Sequence, residues 1–377
     1  MPRSRRRRSS LQHKSFWRMK RSRTQCAFRC LTLLLATIGA GRQAQAQAIR
    51  VELRDSVSGA VISGALVTAR SIALTAVDGL TNAAGVSVLR LPAEGTWSVS
   101  IRRIGLQPRS VSNVRVTGTQ TVLLALSVAG IRQQLQRVLV VATARTCGRA
   151  PSGEDRTAAL WEQISLALRA ATLTRRDPNG LPPLRLIERS RELNASLKEL
   201  SSGITRDGRG VGRMVEAAHP DSLATSGYVR ADADGSMMYF APDERTLLSD
   251  AFVATHCFGV PKSDRDAALA ELEFSPVKGR TLGDVKGTAF VDTASGELRR
   301  IAFRFDAPKS LIPGAAPHAG GEVDFRRLAN GQWIVRNWAI RVPLFAARLH
   351  SRVVSITGYR EVGGTLTPVA ESTPPQP

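Results

Sequence analysis

The stretch Gly287-Thr-Ala-Phe-Val-Asp-Thr-Ala-Ser-Gly-Glu-Leu-Arg-Arg-Ile-Ala-Phe-Arg-Phe305 decides how the second half of the chain is read. Thr293-Ala-Ser-Gly296 separates two strand-like runs, the signal of a β-hairpin. In the second run Ile301, Phe303 and Phe305 fall on one face and Arg300 and Arg304 on the other, because side chains alternate along a strand. Residues 322–328 and 332–342 repeat the arrangement around Ala329-Asn330-Gly331, whose Asn-Gly supplies the backbone freedom a hairpin turn needs. Apolar alternation through Trp333, Val335, Trp338, Ile340 and Val342 slips near Asn337, which predicts a β-bulge. Residues 352–359 read as one more strand.

Upstream, residues 157–173 carry Leu160, Trp161, Ile164, Leu166, Ala167 and Leu168 as the broad apolar side of a helix, which Asp177-Pro-Asn-Gly180 ends. Residues 190–225 are polar and glycine-rich, with no readable period. Pro242-Asp-Glu-Arg opens a short helix through Leu247, Leu248, Ala251 and Phe252 that leads to His256 and Cys257. The expected architecture is a curved antiparallel sheet with one or two helices. It resembles the half-barrel of periplasmic lipoprotein carriers in outline alone, and architecture does not fix function.

The region 49–127 is a series of short strands. Ile49, Val51 and Leu53 alternate with polar neighbours before the turn Asp55-Ser-Val-Ser-Gly59. Ala65-Leu-Val-Thr-Ala69 follows, then the turn Gly79-Leu-Thr-Asn-Ala-Ala-Gly85 and the apolar Val86, Val88 and Leu91. Trp97, Val99 and Ile101 share a face; Val111, Val114 and Val116, then Val122, Leu124 and Leu126, complete the set. Asp55-Ser-Val-Ser-Gly59, Ile62-Ser-Gly-Ala-Leu-Val67, Thr81-Asn-Ala-Ala-Gly85, Leu91-Pro-Ala-Glu-Gly-Thr-Trp97 and Gly105-Leu-Gln-Pro108 resemble the carboxypeptidase regulatory-like domain. The resemblance covers about 80 residues and implies a transthyretin-like β-sandwich, an appendage of envelope proteins without peptidase activity. Asn82 stands where that family usually has Asp, a change that keeps the turn-forming side chain. Leu135-Gln-Arg-Val-Leu-Val-Val-Ala-Thr-Ala144 looks like the join to the plug of a TonB-dependent receptor. The remaining chain, however, lacks the many regular strands of a large outer-membrane barrel, so a linker or edge strand is the better reading.

The chain of 377 residues carries a formal charge of +22, but residues 1–47 hold twelve Lys or Arg and no acid. The rest, with 41 basic and 31 acidic residues, is only +10, and its charges are interspersed. That distribution argues against nucleic-acid binding. The basic segment from Arg3 to Arg29, the apolar run from Cys30 to Gly41 and the tract Ala44-Gln-Ala-Gln-Ala48 follow the order of a secretory leader, cleaved after Ala46 or Ala48 and starting at Met1 or Met19. The apolar run of about twelve residues is too short for a membrane helix, which needs about twenty.

Cys26 and Cys30 lie in that leader; Cys147 and Cys257 remain, and two cysteines in an exported chain most simply form one disulfide. Beyond the leader the histidines are His219, His256, His318 and His350, and none has the Glu three residues on that a zinc peptidase needs. His256 beside Cys257 points to the opposite face of an extended segment. His219-Pro-Asp-Ser222 has the residue types of a serine hydrolase but in consecutive positions that cannot form a triad. Gly208-Arg-Gly-Val-Gly212 lacks the Lys of a phosphate loop. Asp232 and Asp234 resemble a fragment of a calcium loop, but Asp243 stands where that loop needs Glu. Arg300, Arg304, Arg326, Arg327, Arg336 and Arg341 are read either as a basic face for anionic lipid or glycan or as solvated sheet positions.

The expectation is a mostly β chain. It has a leader (1–48), a transthyretin-like antiparallel β-sandwich (49–128), a linker (129–155), a C-terminal α+β domain (156–366) with a curved antiparallel sheet, and a disordered tail (367–377). Its expected role is that of an exported, non-catalytic binding or scaffold protein, periplasmic or associated with the outer membrane. The β-sandwich is expected to recognise protein or glycan; the alternative is lipid or lipoprotein carriage by the C-terminal half-barrel. No catalytic residue, cofactor or metal is expected, nor a transmembrane span in the mature chain.

Overall fold

The computed structural model describes residues 47–73, 75–130, 146–152, 155–178, 180–210, 218–233, 236–261, 266, 268–308, 316–347 and 354–369. Residues 1–46 of the expected leader, 131–145 of the expected linker and 370–377 of the expected tail lie outside the described residues. So do Asp234, His350 and residues 211–217.

Seven strands come first: β1 (Ala48–Asp55), β2 (Leu66–Ser71), β3 (Ala76–Leu80), β4 (Val86–Arg90), β5 (Gly95–Arg102), β6 (Arg109–Val116) and β7 (Thr121–Val128). They form a three-stranded sheet, β4-β1-β7, and a four-stranded one, β3-β2-β5-β6. The alternating apolar residues meet between the sheets, where Ile49, Val51, Val67, Val99 and Ile101 are almost fully buried. Burying such a side chain stabilises by roughly 1.5–3 kcal/mol each.

Three details differ from the sequence reading. β1 and β7 pair in parallel, Ala48 to Asp55 against Thr121 to Val128. A parallel pair needs a long crossover, and the five intervening strands provide it; alternation within a strand carries no information about direction. In β4 it is Ser87 and Leu89 that face the core, while Val88 points to solvent. Gly79 lies in β3, so the turn shrinks to Asn82–Gly85. Asn82 holds that turn, its Oδ1 accepting from the amides of Ala84 and Val86 at 3.0 Å each.

The fold begins before the expected leader boundary. The Gln47 carbonyl accepts from the Leu91 amide at 2.9 Å, and Ala48 is a buried residue of β1. Residues 47 and 48 therefore belong to the sandwich.

The rest of the chain builds β8 (Thr146–Cys147), α1 (Arg156–Arg176), β9 (Leu184–Asn194), β10 (Glu199–Arg209), α2 (Pro220–Ser226), β11 (Val229–Ala231), β12 (Met237–Tyr239), α3 (Glu244–Leu247), α4 (Asp250–Thr255) and β13 (His256–Gly259). β14 (Leu269–Pro276), β15 (Asp284–Asp292), β16 (Leu298–Asp306), β17 (Gly320–Arg327), β18 (Trp333–Ala347) and β19 (Val354–Pro368) complete it. Ten strands form one antiparallel sheet in the order β10-β9-β19-β18-β17-β16-β15-β14-β13-β8. The expected bulge is present: Asp324 faces Asn337 but Phe325 faces Val335, so Arg336 is the extra residue.

α1 starts where Asp155 accepts from the Ala158 amide at 2.7 Å, capping an otherwise unpaired helix donor. It buries Leu160, Ile164, Ala167 and Leu168 against the sheet. Its last turn is tied to α3 by Arg175, whose Nη1 donates to both carboxylate oxygens of buried Glu244 at 2.8 Å.

Two expectations need correcting here. The unreadable stretch around 190–210 is a long hairpin, β9–β10. β10 is an edge strand exposed along nearly its whole length, so no buried face imposes alternation on it. Thr367 and Pro368, assigned to a disordered tail, belong to β19 and pair with Arg185 and Leu184. Within the expected linker, Thr146 and Cys147 form an edge strand of the large sheet, and Cys147 is joined to Cys257 directly across from it on β13 by a disulfide.

Candidate functional site

The large sheet has two unlike faces. Ile301, Phe303, Val323, Trp338 and Leu366 pack into the core on one side, and the Trp338 ring lies where a side chain on Gly364 would be. The other side opens as a concave groove of about 740 Å³. Strand register lays its residues out in two neighbouring rows. One row runs Arg304, Gly320, Arg341, Glu361, Arg191, Ser202; the next runs Ala302, Glu322, Ala339, Gly363, Arg189, Ile204. Ala339 and Gly363 in the middle of the second row, and Gly320 in the first, keep the floor low at those points. Gly320 and Gly363 admit no side chain, since a Cβ would meet the carbonyl oxygens of Phe303 and Trp338 at 2.2 and 2.5 Å.

On this floor stands one buried carboxylate. Glu361, with 3% of its side chain exposed, accepts from Arg191 Nε at 2.9 Å and from its Nη2, and from Arg341 Nη2 at 2.5 Å and Nε at 3.1 Å. The Glu361 hydrogen bonds raise the Arg191 guanidinium above its ordinary value. Arg191 also reaches Glu199 at 3.5 Å, and Glu322 pairs with Arg300 at 3.8 Å. Arg189 and Arg304 make no ion pair with any described carboxylate. The groove thus presents a surplus of positive charge over a flat floor. Strands lie about 4.8 Å apart, so four intervals separate Arg304 on β16 from Arg191 on β9 by roughly 19 Å along the sheet.

Of the six arginines expected on the outer face, four pair with acids: Arg300 with Glu322, Arg336 with Asp324, Arg341 with Glu361, and Arg327 with Glu297 at 2.6 Å. Arg304 and Arg326 remain, without an ion pair to a described carboxylate, and Arg189 and Arg191 join Arg304 in the groove from β9. No periodic signal marks Arg189 and Arg191, because the hairpin that carries them has no clear period.

His256 and Cys257 lie apart in function. The His256 ring is fully buried and stacks on Phe252 at 3.8 Å. Its Nδ1 lies 3.0 Å from the Phe252 carbonyl, and its Nε2 lies 3.1 Å from the Val285 carbonyl and 3.2 Å from Asp284. Asp284 also pairs with Arg280. Burial works against the charged Asp284 carboxylate, but hydrogen bonds from His256, Arg280 and the Val285 amide outweigh it and hold the carboxyl below the ordinary range. This is a buried structural network beside the disulfide. His219 caps α2, its Nδ1 accepting from the Asp221 amide at 3.4 Å, and forms no triad with Ser222. Asp232 lies exposed in a turn. Among the described residues, no group of three or more His, Cys, Asp or Glu side chains is placed to hold a metal ion, and no helix is long and apolar enough to cross a membrane.

No protein-family model matches this chain, and no curated protein matches it at a significant level. Solved structures give distant likenesses. A cohesin–X-dockerin complex from Acetivibrio cellulolyticus is 17% identical over 33% of this chain and 73% of its own, with a TM-score of 0.20. A Bacteroides uniformis protein proposed to bind carbohydrate is 9% identical over 69% and 96%, at 0.21. A DUF1329 family protein from Desulfovibrio piger is 13% identical over 54% and 91%, also at 0.21. Likenesses of this size assign neither a family nor a function.

Proposed function

We propose that this chain is an exported, non-catalytic binding protein of the cell envelope, and that the groove of its large sheet holds an extended anionic ligand, an acidic glycan in first place. One observation carries the reading: Arg189 and Arg304, neither held in an ion pair with a described carboxylate, flank the Arg191–Glu361–Arg341 cluster, with Gly320, Ala339 and Gly363 between the charged side chains. Arginine forks match carboxylate geometry, and the short residues Gly320, Ala339 and Gly363 let a flat ring approach the strands there. The spread of charge across five strands suits a chain better than a small ion. Export is supported by the order of basic, apolar and small residues in 1–48 and by the Cys147–Cys257 disulfide, a bond suited to an oxidising compartment. The resemblance of the first seven strands to the carboxypeptidase regulatory-like domain rests on the motifs between Asp55 and Pro108 and is part of the proposal. Lipid carriage is the weaker reading, because the concave face is lined by charge while the apolar face is filled by side chains.

The test is titration of the exported chain with oligogalacturonate at low and high salt. Arg189→Glu and Arg304→Glu should each weaken binding about tenfold, and salt should weaken it further. An affinity that neither variant nor salt changes defeats the groove reading.

A further inference from the structure

A second hollow, of about 550 Å³, lies between the outer face of the β2–β5 sheet and helix α1. Strand register orders its floor: Thr68 faces Ser100 and Arg70 faces Ser98. Across the hollow, α1 supplies Trp161, Glu162 and Arg169. The two walls come from two different hydrophobic cores, a common setting for ligand sites.

The charges are uneven. Arg102 on β5 pairs with Glu162 on α1 at 3.3 Å. Arg70 and Arg169 are exposed, one on each wall, and make no ion pair with a described carboxylate. Thr68 is engaged with Asp78 at 2.6 Å, while the Ser98 hydroxyl donates to the Arg70 carbonyl at 3.3 Å and keeps its lone pairs for a ligand. Trp161 is half-buried and fixed by its contact with Phe258, ring centres 4.8 Å apart. Two guanidinium forks, a row of hydroxyls and an amphipathic aromatic ring match a molecule with many hydroxyls and a carboxylate.

We propose that this cleft is a second binding site, for a short acidic saccharide whose carboxylate is held between Arg70 and Arg169 and whose hydroxyls meet the Thr68, Ser98 and Ser100 floor. The site is independent of the groove on the large sheet. Occupation ties the sandwich to α1, because each side contributes one arginine.

The experiment is calorimetric titration of the exported chain with digalacturonate and, in parallel, with uncharged digalactose. Arg70→Glu and Arg169→Glu change exposed side chains that make no ion pair with a described carboxylate, and Arg169→Ala serves as the milder variant should either charge reversal lower the melting temperature. Digalacturonate binds the wild type about tenfold more tightly than digalactose, and each cleft variant weakens it about tenfold. The control Arg304→Glu, in the groove, leaves this binding within about twofold. Absence of digalacturonate binding, equal affinity for digalactose, unchanged affinity in the cleft variants, or a loss confined to Arg304→Glu each overturns the proposal. Failure of extended oligogalacturonate to bind, by contrast, bears on the groove alone.

Discussion

Gly64 and Gly331 touch backbone to backbone: a Cβ on Gly64 would lie 2.2 Å from the Gly331 carbonyl oxygen, and one on Gly331 would lie 2.6 Å from the Gly64 Cα. Both residues have positive φ, +67° and +84°. One sits before β2 in the sandwich and the other in the β17–β18 turn, so the contact seats the hairpin on the sandwich.

Gly331→Ala therefore combines backbone strain with a steric clash at this contact. Thermal melting should show a loss of about 2–3 kcal/mol. Gly59→Ala is the control: it has the same kind of backbone, φ +69°, but nothing within 4 Å of a new Cβ. Its loss should be about 1 kcal/mol. Equal losses in the two variants remove the contact from the explanation.

Glu361 should trade stability against binding. Glu361→Gln leaves two arginines facing each other on the groove floor, and a loss of about 2 kcal/mol is expected, reduced from the fully buried case because both arginines are partly exposed. With its internal anion removed, the groove should bind oligogalacturonate more tightly. Paired melting and titration measurements check both halves; a variant that melts lower and also binds more weakly contradicts the second.

Acid should act through Asp284. Its folded carboxyl titrates below the ordinary value of 3.8, so its contribution is complete above that pH and disappears as pH falls through the folded value. Asp284→Asn should destabilise at neutral pH, and the gap from wild type should close below about pH 4. Urea melts at pH 7, 5 and 3 provide the comparison, and a gap independent of pH refutes the assignment.

The disulfide joins residues 110 apart in sequence, and closing a loop of that length is worth about 4–5 kcal/mol in the chain-entropy model. The double variant Cys147→Ala, Cys257→Ala should lose stability of that order. The two-residue strand β8 should then exchange its amide hydrogens faster than the neighbouring β13, as mass spectrometry can measure. Unchanged stability after reduction shows that packing alone holds this edge.

Period and composition were enough for much of the fold. Ile301, Phe303 and Phe305 face the core and Arg304 faces out because a strand buried on one side must alternate, and Ala329-Asn330-Gly331 turns because glycine accepts the backbone conformation required there. Asp155, an N-cap residue type placed just before the helical apolar pattern, is a usable sequence signal for the start of α1. The hairpin carrying Arg189 and Arg191 escaped because β10 is an edge exposed on both faces, and exposure removes the pattern that reveals a strand.

Sequence alone determined which residues are apolar at strand or helix spacing, where turns fall, and which two cysteines remain beyond the leader. Those features are local, set by side-chain alternation and backbone freedom within a few residues. Tertiary structure alone decided that β1 and β7 run parallel and that Glu361 meets Arg191 from 170 residues away. It also decided that Arg70 and Arg169, 99 positions apart, line one cleft. Strand order and the docking of two cores depend on burial summed over the whole chain, and no short stretch of residues encodes that sum.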